Sequence, residues 1–276
     1  MLLYGDSERA LVHQPGTPSS PAPDKLLADV ADHHGLRVVL PLRPGYGNST
    51  PNPGRRIADV PADIEAVIQH LGVTEFVSAG YSGGGGHSLA TAALTPSCKA
   101  AAAVATPAPR DAEGLDYYAG MVQSNHEEWA LADKGEDAVR RFLEKFAASR
   151  RERPVEAFVE VFDDAIPPVD RDVMTHESAE RLNIGWNKGL ENGIEGWLED
   201  DIALTTPWGF DLPSVTTPVT FWAGRLDVFV PPDHTVWMAR QLPSSDLHLL
   251  AAHGHISLQR ALMHDIVADL VTKAGW

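Results

Sequence analysis

The 276-residue chain is poor in cysteine and in positive charge, and it has no long apolar run. Its single cysteine, Cys98, excludes an internal disulfide. No N-terminal segment joins a basic stretch to an apolar core and a cleavage site, so the chain is expected in the cytoplasm. The 22 basic residues are outnumbered by 38 acidic ones, a net charge of −16 that repels phosphate backbones and anionic bilayers. Neither nucleic acid nor a membrane is therefore an expected partner. A small-molecule substrate is expected, and a second copy of the chain is left open. Nowhere do about eighteen apolar residues run together, the length a membrane-spanning helix needs. There is also no G-x-G-x-x-G after the first strand. The histidines of His33-His34 and of His253-x-His255 lack a third ligand at a fitting spacing, and Asp200-Asp201 is followed by apolar residues. No metal and no cofactor is expected.

What is present is a rhythm. Short β-branched runs alternate with amphipathic stretches, the pattern of a mostly parallel sheet flanked by helices in an α/β fold. Strands are predicted near Arg9–His13, Arg37–Leu40, Glu75–Gly80, Ala100–Ala105, Val219–Ala223 and Asp246–Leu250. Helices are predicted over Pro23–His34, over Ile57–Leu71 closed by Gly72, and as one piece over His255–Lys273. The rhythm stops between Thr106 and Leu212, which predicts a helical lid over residues 107–211 inserted into a core made of 1–106 and 212–276. Within that lid Leu182, Trp186, Leu190, Ile194 and Trp197 fall on one predicted helical face. The face either packs the lid or lines an apolar pocket, with Trp186, Trp197 and Tyr81 as candidate lining residues. A turn is predicted at Glu152–Pro154.

The strongest local signal is Gly80-Tyr81-Ser82-Gly83-Gly84, a G-x-S-x-G between a predicted strand and a predicted helix. Such a turn strains the serine backbone, needs glycine-sized neighbours, and leaves the hydroxyl free at a helix N-terminus. The Gly83 N–H is then a candidate oxyanion donor. The four glycines Gly83–Gly86 are also compatible with a phosphate cradle, but the Lys-Ser/Thr that would follow one is missing. A serine nucleophile needs a histidine base and an acid that fixes the imidazole. Asp227 follows the strand Val219–Ala223, and His255 opens the last helix, in the chain order serine, acid, histidine. A turn aspartate, a capping histidine, and the neighbouring His253 as the base are the alternatives. A second oxyanion donor is expected from Gly16 or Thr17, because Pro15 and Pro18 carry no N–H; a plain proline turn is the other reading.

With Arg43-Pro44-Gly45-Tyr46-Gly47-Asn48-Ser49 ahead of the serine turn, the chain resembles the α/β-hydrolase superfamily in its serine esterase-like branch. That resemblance implies an eight-stranded sheet, a helical cap, and a triad on Ser82, Asp227 and His255. His13-Gln14-Pro15-Gly16 departs from the family's His-Gly start of the oxyanion loop, and the first hairpin is expected to be absent. Serine at position 82 disfavours the relatives with an aspartate nucleophile. The expected activity is hydrolysis of an ester, lactone or related acyl bond in a small, largely apolar substrate. Carbon–carbon hydrolysis or acyl transfer on the same residues is an alternative, and so is a non-catalytic small-molecule receptor.

Overall fold

The computed structural model describes residues 1–150, 155, 166–242 and 244–276 of the protein. Among them a seven-stranded sheet forms the centre: β1 (Leu2–Tyr4), β2 (Arg9–Gln14), β3 (Arg37–Leu40), β4 (Glu75–Tyr81), β5 (Cys98–Val104), β6 (Val219–Gly224) and β7 (Asp246–Leu250). The spatial order is β1-β3-β2-β4-β5-β6-β7, parallel throughout except for β1, which runs against β3 with Leu3 opposite Val39. Seven strands replace the eight that the resemblance implied, and the antiparallel β1 is the sheet's edge. At three residues it is too short for alternation to register.

Both faces of the sheet are covered, which is why its central strands read as continuous apolar runs. Along β5, Ala101 and Ala103 face a core shared with α2 (Val60–His70), α3 (Gly84–Leu94) and Met238 of α9 (Pro232–Gln241). Ala100, Ala102 and Val104 face the opposite core with α1 (Lys25–His33), Leu258 of α10 (His255–Ala261) and α11 (Met263–Ala274). The predicted single helix His255–Lys273 is therefore two. Leu262, at φ −109° and ψ 12°, leaves the helical region for one residue, yet it still donates to Leu258 and accepts from Ile266. Leu258, Ile266 and Leu270 keep their inward spacing across the break, so the apolar period carries no trace of it.

Between β5 and β6 the described residues form α4 (Gln123–Ala130), α5 (Glu136–Arg150), α6 (Pro168–Asp172), α7 (His176–Gly189) and α8 (Glu195–Thr205). The turn predicted at 152–154 lies outside the described residues. The single helical face predicted over Leu182–Trp197 is split, because α7 ends at Gly189 and α8 begins at Glu195, with Gly193 at φ +114° between them. Leu190, Ile194 and Trp197 nevertheless gather with Val139 and Leu143 of α5 in one apolar cluster, and Trp186 packs against it. Ala203 and Leu204 at the other end of α8 belong to the core beneath the sheet. One helix thus keys the segment to the sheet. No described helix is long and apolar enough to cross a membrane.

Candidate active site

Strand β4 runs into α3 through a single residue in the left-handed region, Ser82 at φ +53°. A non-glycine residue held there costs about 1–3 kcal/mol, strain that tends to gather at functional sites. The turn is locked from both sides: the Ser82 N–H donates to the Val104 carbonyl at 2.8 Å, and Gly85 donates to the Ser82 carbonyl at 3.0 Å. Any side chain on Gly80 would collide with the Gly84 carbonyl, and one on Gly84 with the Gln14 carbonyl. The glycines read around Ser82 are thus demanded by close backbone approach.

Asp227 sits in the loop after β6, with its side chain buried. Its Oδ1 accepts the N–H groups of Phe229 and Val230, both at 2.9 Å, which aims Oδ2 at His255. Oδ2 lies 2.7 Å from His255 Nδ1. The imidazole is flanked by the rings of Tyr81 (4.9 Å between centroids) and Phe229 (5.3 Å). His253 makes a different contribution: its carbonyl accepts the Leu226 N–H at 3.0 Å and helps to shape the Asp227 loop. It is His255 that meets the acid.

Nothing in the local sequence marks the residue that anchors His255. Asp170, fully buried on α6 and 85 positions away, accepts the His255 N–H (2.8 Å) on Oδ2 and the Ser257 N–H (2.8 Å) and hydroxyl (2.6 Å) on Oδ1. It acts as the side-chain cap that Gly254 cannot supply at the start of α10. Gly254 is required for this approach, since a Cβ there would lie 2.7 Å from the Asp170 Cγ.

The loop expected to supply a second oxyanion donor lies over the serine. A Cβ on Gly16 would come 3.1 Å from Ser82 Cβ, and one on Gly83 would come 2.6 Å from Thr17 Oγ1. Arg43 holds this loop, donating to the Pro15 carbonyl (2.7 Å) and the Gly16 carbonyl (3.1 Å). Pinning these carbonyls fixes the peptide planes, and with them the directions of the N–H groups. Arg43 and Arg55 both pair with Asp200 of α8, which also accepts the Thr17 hydroxyl (2.6 Å) and the Tyr46 hydroxyl (2.8 Å). Burial alone would raise the Asp200 carboxyl, but the two guanidinium groups outweigh it and hold it well below the carboxylate range. Within the segment Arg43–Ser49, read as a family mark, Arg43 thus clamps the loop that lies over Ser82.

Ser82 and His255 share the wall of a cavity with two lobes that meet at Thr17, Pro18, Trp186 and Phe229. One lobe, of about 180 Å³, is lined by Tyr81, Met174, Leu182 and Ile256 among others. The other, of about 420 Å³, reaches Trp129, Phe146 and Trp197, and also Glu128 and Asp201. The three predicted lining residues all reach the cavity. Trp197 is 2% exposed and also belongs to the apolar cluster, so lining and packing are both true of it. The carboxyls of Glu128 and Asp201 were not foreseen. The pair Asp200-Asp201 divides its labour, one to the loop clamp and one to the cavity.

A histidine cluster lies away from the cavity. His264 of α11 stands beside His33 and His34, and the three offer ligand nitrogens all within 4.8 Å of one another. The third imidazole, absent from the local spacing, comes from a helix more than two hundred residues away.

A family model described as the alpha/beta hydrolase fold matches residues 10–259. The chain belongs to the α/β-hydrolase family. Its fold recurs in solved structures of low identity. A thermophilic esterase from Thermogutta terrifontis is 19% identical, with a TM-score of 0.63 over 99% of this chain and 92% of that one. A bromoperoxidase from Bacillus anthracis is 16% identical, with a TM-score of 0.69 over 98% and 94%. An enol-lactonase from Burkholderia xenovorans is 15% identical, with a TM-score of 0.61 over 98% and 95%. No curated protein matches the sequence. For this α/β-hydrolase the neighbours carry the fold, and the residues must carry the chemistry.

Proposed function

We propose that the protein is a serine hydrolase that cleaves an ester, lactone or related acyl bond through an acyl-enzyme. The observation that carries this reading is the 2.7 Å contact between Asp227 Oδ2 and His255 Nδ1, beside a serine held at φ +53° on the same cavity wall. A carboxylate on Nδ1 leaves Nε2 as the basic nitrogen.

Ser82 Oγ attacks the substrate carbonyl carbon as its proton passes to His255 Nε2. The carbonyl oxygen takes up the negative charge, met by the Gly83 N–H and by an N–H of the Gly16-Thr17 loop. Collapse of the adduct breaks the bond to the alcohol oxygen, which leaves with the proton from His255. Water then gives a proton to His255, attacks the acyl-serine, and releases the acid and Ser82. Asp227 orients the ring and stabilises the imidazolium as it forms. Residues 107–211 act as the lid in this reading, contributing the walls on which Trp186, Trp197 and Glu128 stand. The esterase and lactonase among the structural neighbours lend the reading support.

A panel of p-nitrophenyl esters tests it. Wild type should release p-nitrophenolate, and Ser82→Ala should fall by about 10³-fold or more while folding normally. Turnover retained in Ser82→Ala contradicts the assignment, and no turnover by either protein turns the reading toward a receptor.

A further inference from the structure

The larger lobe of the cavity has an acidic end that the hydrolytic steps do not use. Asp201 is 2% exposed, and apart from a proton shared with the neighbouring Glu128 carboxyl, which can satisfy only one of its two oxygens, it accepts from no donor among the described residues. Buried polar groups are nearly always satisfied, so one left open on a cavity wall points to a missing ligand. Glu128, from α4, stands with it and accepts the Trp197 indole N–H at 2.7 Å. Burial first, and then each carboxyl's repulsion of the other, pushes Asp201 well above the carboxylate range, and burial raises Glu128. No Lys, Arg or His among the described residues pairs with either carboxyl. Beside the carboxyls stand three packed aromatic side chains of the same lobe: Trp186 lies 5.5 Å from Trp197, and Phe146 packs edge-on against both at 5.9 and 5.7 Å.

Carboxyls beside a cluster of aromatic side chains match one ligand chemistry well. A primary ammonium brings three N–H donors for the open oxygens and a compact charge for the indole faces. An alkyl or aryl end would leave Asp201 unsatisfied. We propose that Glu128 and Asp201 form an ammonium subsite, which receives a protonated primary amine carried by the substrate whose acyl bond lies at Ser82. This rests on the serine-hydrolase reading and replaces its expectation of a largely apolar substrate with one that is apolar at one end and cationic at the other.

Calorimetric titration with n-hexylammonium and, separately, 1-hexanol tests the subsite without turnover. Wild type should bind the ammonium at least about tenfold more tightly than the alcohol. The isosteric Asp201→Asn and Glu128→Gln variants should each lose most of that preference. Alcohol binding as tight as ammonium, or a preference that survives both variants, overturns the proposal. Turnover of neutral p-nitrophenyl acetate is read alongside. Neutral turnover without ammonium preference removes the subsite and keeps the hydrolase; Asp201-dependent ammonium binding without turnover does the reverse.

A separate cluster supports a second site. The geometry points to a transition-metal site at His33, His34 and His264, whose rings lie 5.0 to 5.1 Å apart. Nitrogens around a tetrahedral zinc lie about 3.3 Å apart, given bonds of about 2.0–2.1 Å, so small rotations of the side chains close the triangle. His34 Nε2 is buried without a partner, and His33 ends α1, where the helix dipole favours a cation. Titration with Zn²⁺ alone should give one site per chain, weakened by about tenfold or more in His264→Ala. No binding, or an affinity unchanged in His264→Ala, overturns it.

Discussion

The carboxylate of Asp170 receives the backbone N–H of His255 at 2.8 Å, so a helix of the inserted segment fixes the imidazole that meets Asp227. Asp170→Asn keeps the shape but loses the charge-assisted acceptor for three donors. We expect kcat to fall by about tenfold to a hundredfold through misplacement of the ring, with KM changing far less. Asp170→Glu, which restores the charge on a longer arm, should recover part of the rate. If kcat is unchanged while the melting temperature drops, Asp170 caps the helix and does not position the base.

The clamp on the Pro15–Thr17 loop gives a stability prediction with a sign. Asp200 has its pKa lowered on folding, so its contribution is present above the unfolded value of about 3.9 and is lost as pH falls toward the folded one. Asp200→Asn leaves Arg43 and Arg55 short of a buried counter-charge and should cost about 3–5 kcal/mol at neutral pH. Chemical denaturation of both proteins at pH 7 and at about pH 2.5, below the unfolded value, should show the gap narrowing with acid. A gap that is constant or widens refutes the electrostatic account of the clamp.

Glu128 works in the opposite direction. Its pKa is raised to about 7, chiefly by burial, so ionising it disfavours the folded state increasingly between the unfolded value of about 4.3 and the folded one. Glu128→Gln should therefore gain stability relative to wild type as pH rises from 4.5 to 7.5. Melting temperatures across that range check it, and a difference that does not change with pH removes the raised carboxyl.

The two tryptophans of the cavity should separate. Trp197 is 2% exposed and packed in the apolar cluster, so Trp197→Ala should cost about 3–5 kcal/mol. Trp186, half-buried, borders both lobes. Trp186→Ala should cost less, and should shift the kcat/KM ratio between short and long acyl esters within the hydrophobic ceiling of about 1–3 kcal/mol per methylene-sized change. Equal losses of stability with an unchanged ratio would make both residues packing alone.

What was legible in the sequence is what neighbouring residues dictate. Gly80, Ser82 and Gly84 must sit together because one tight turn demands all three, and Asp227 and His255 each follow a strand that ends on the same sheet edge. Asp170, Asp201 and His264 acquire their settings only when distant helices close on them, and no spacing announces an 85-residue contact. The breaks at Leu262 and Gly193 were hidden for a different reason. Apolar periodicity records which face is buried, and both breaks preserve that face.

The central claim, that Ser82 is an activated nucleophile, is tested most directly by treating the protein with a fluorophosphonate and reading the modified peptide by mass spectrometry. One phosphonyl group on Ser82 in wild type is predicted, with labelling lost in Ser82→Ala and strongly slowed in His255→Ala, because the hydroxyl needs its base. Labelling at another residue, or at Ser82 with equal speed in His255→Ala, would contradict the account.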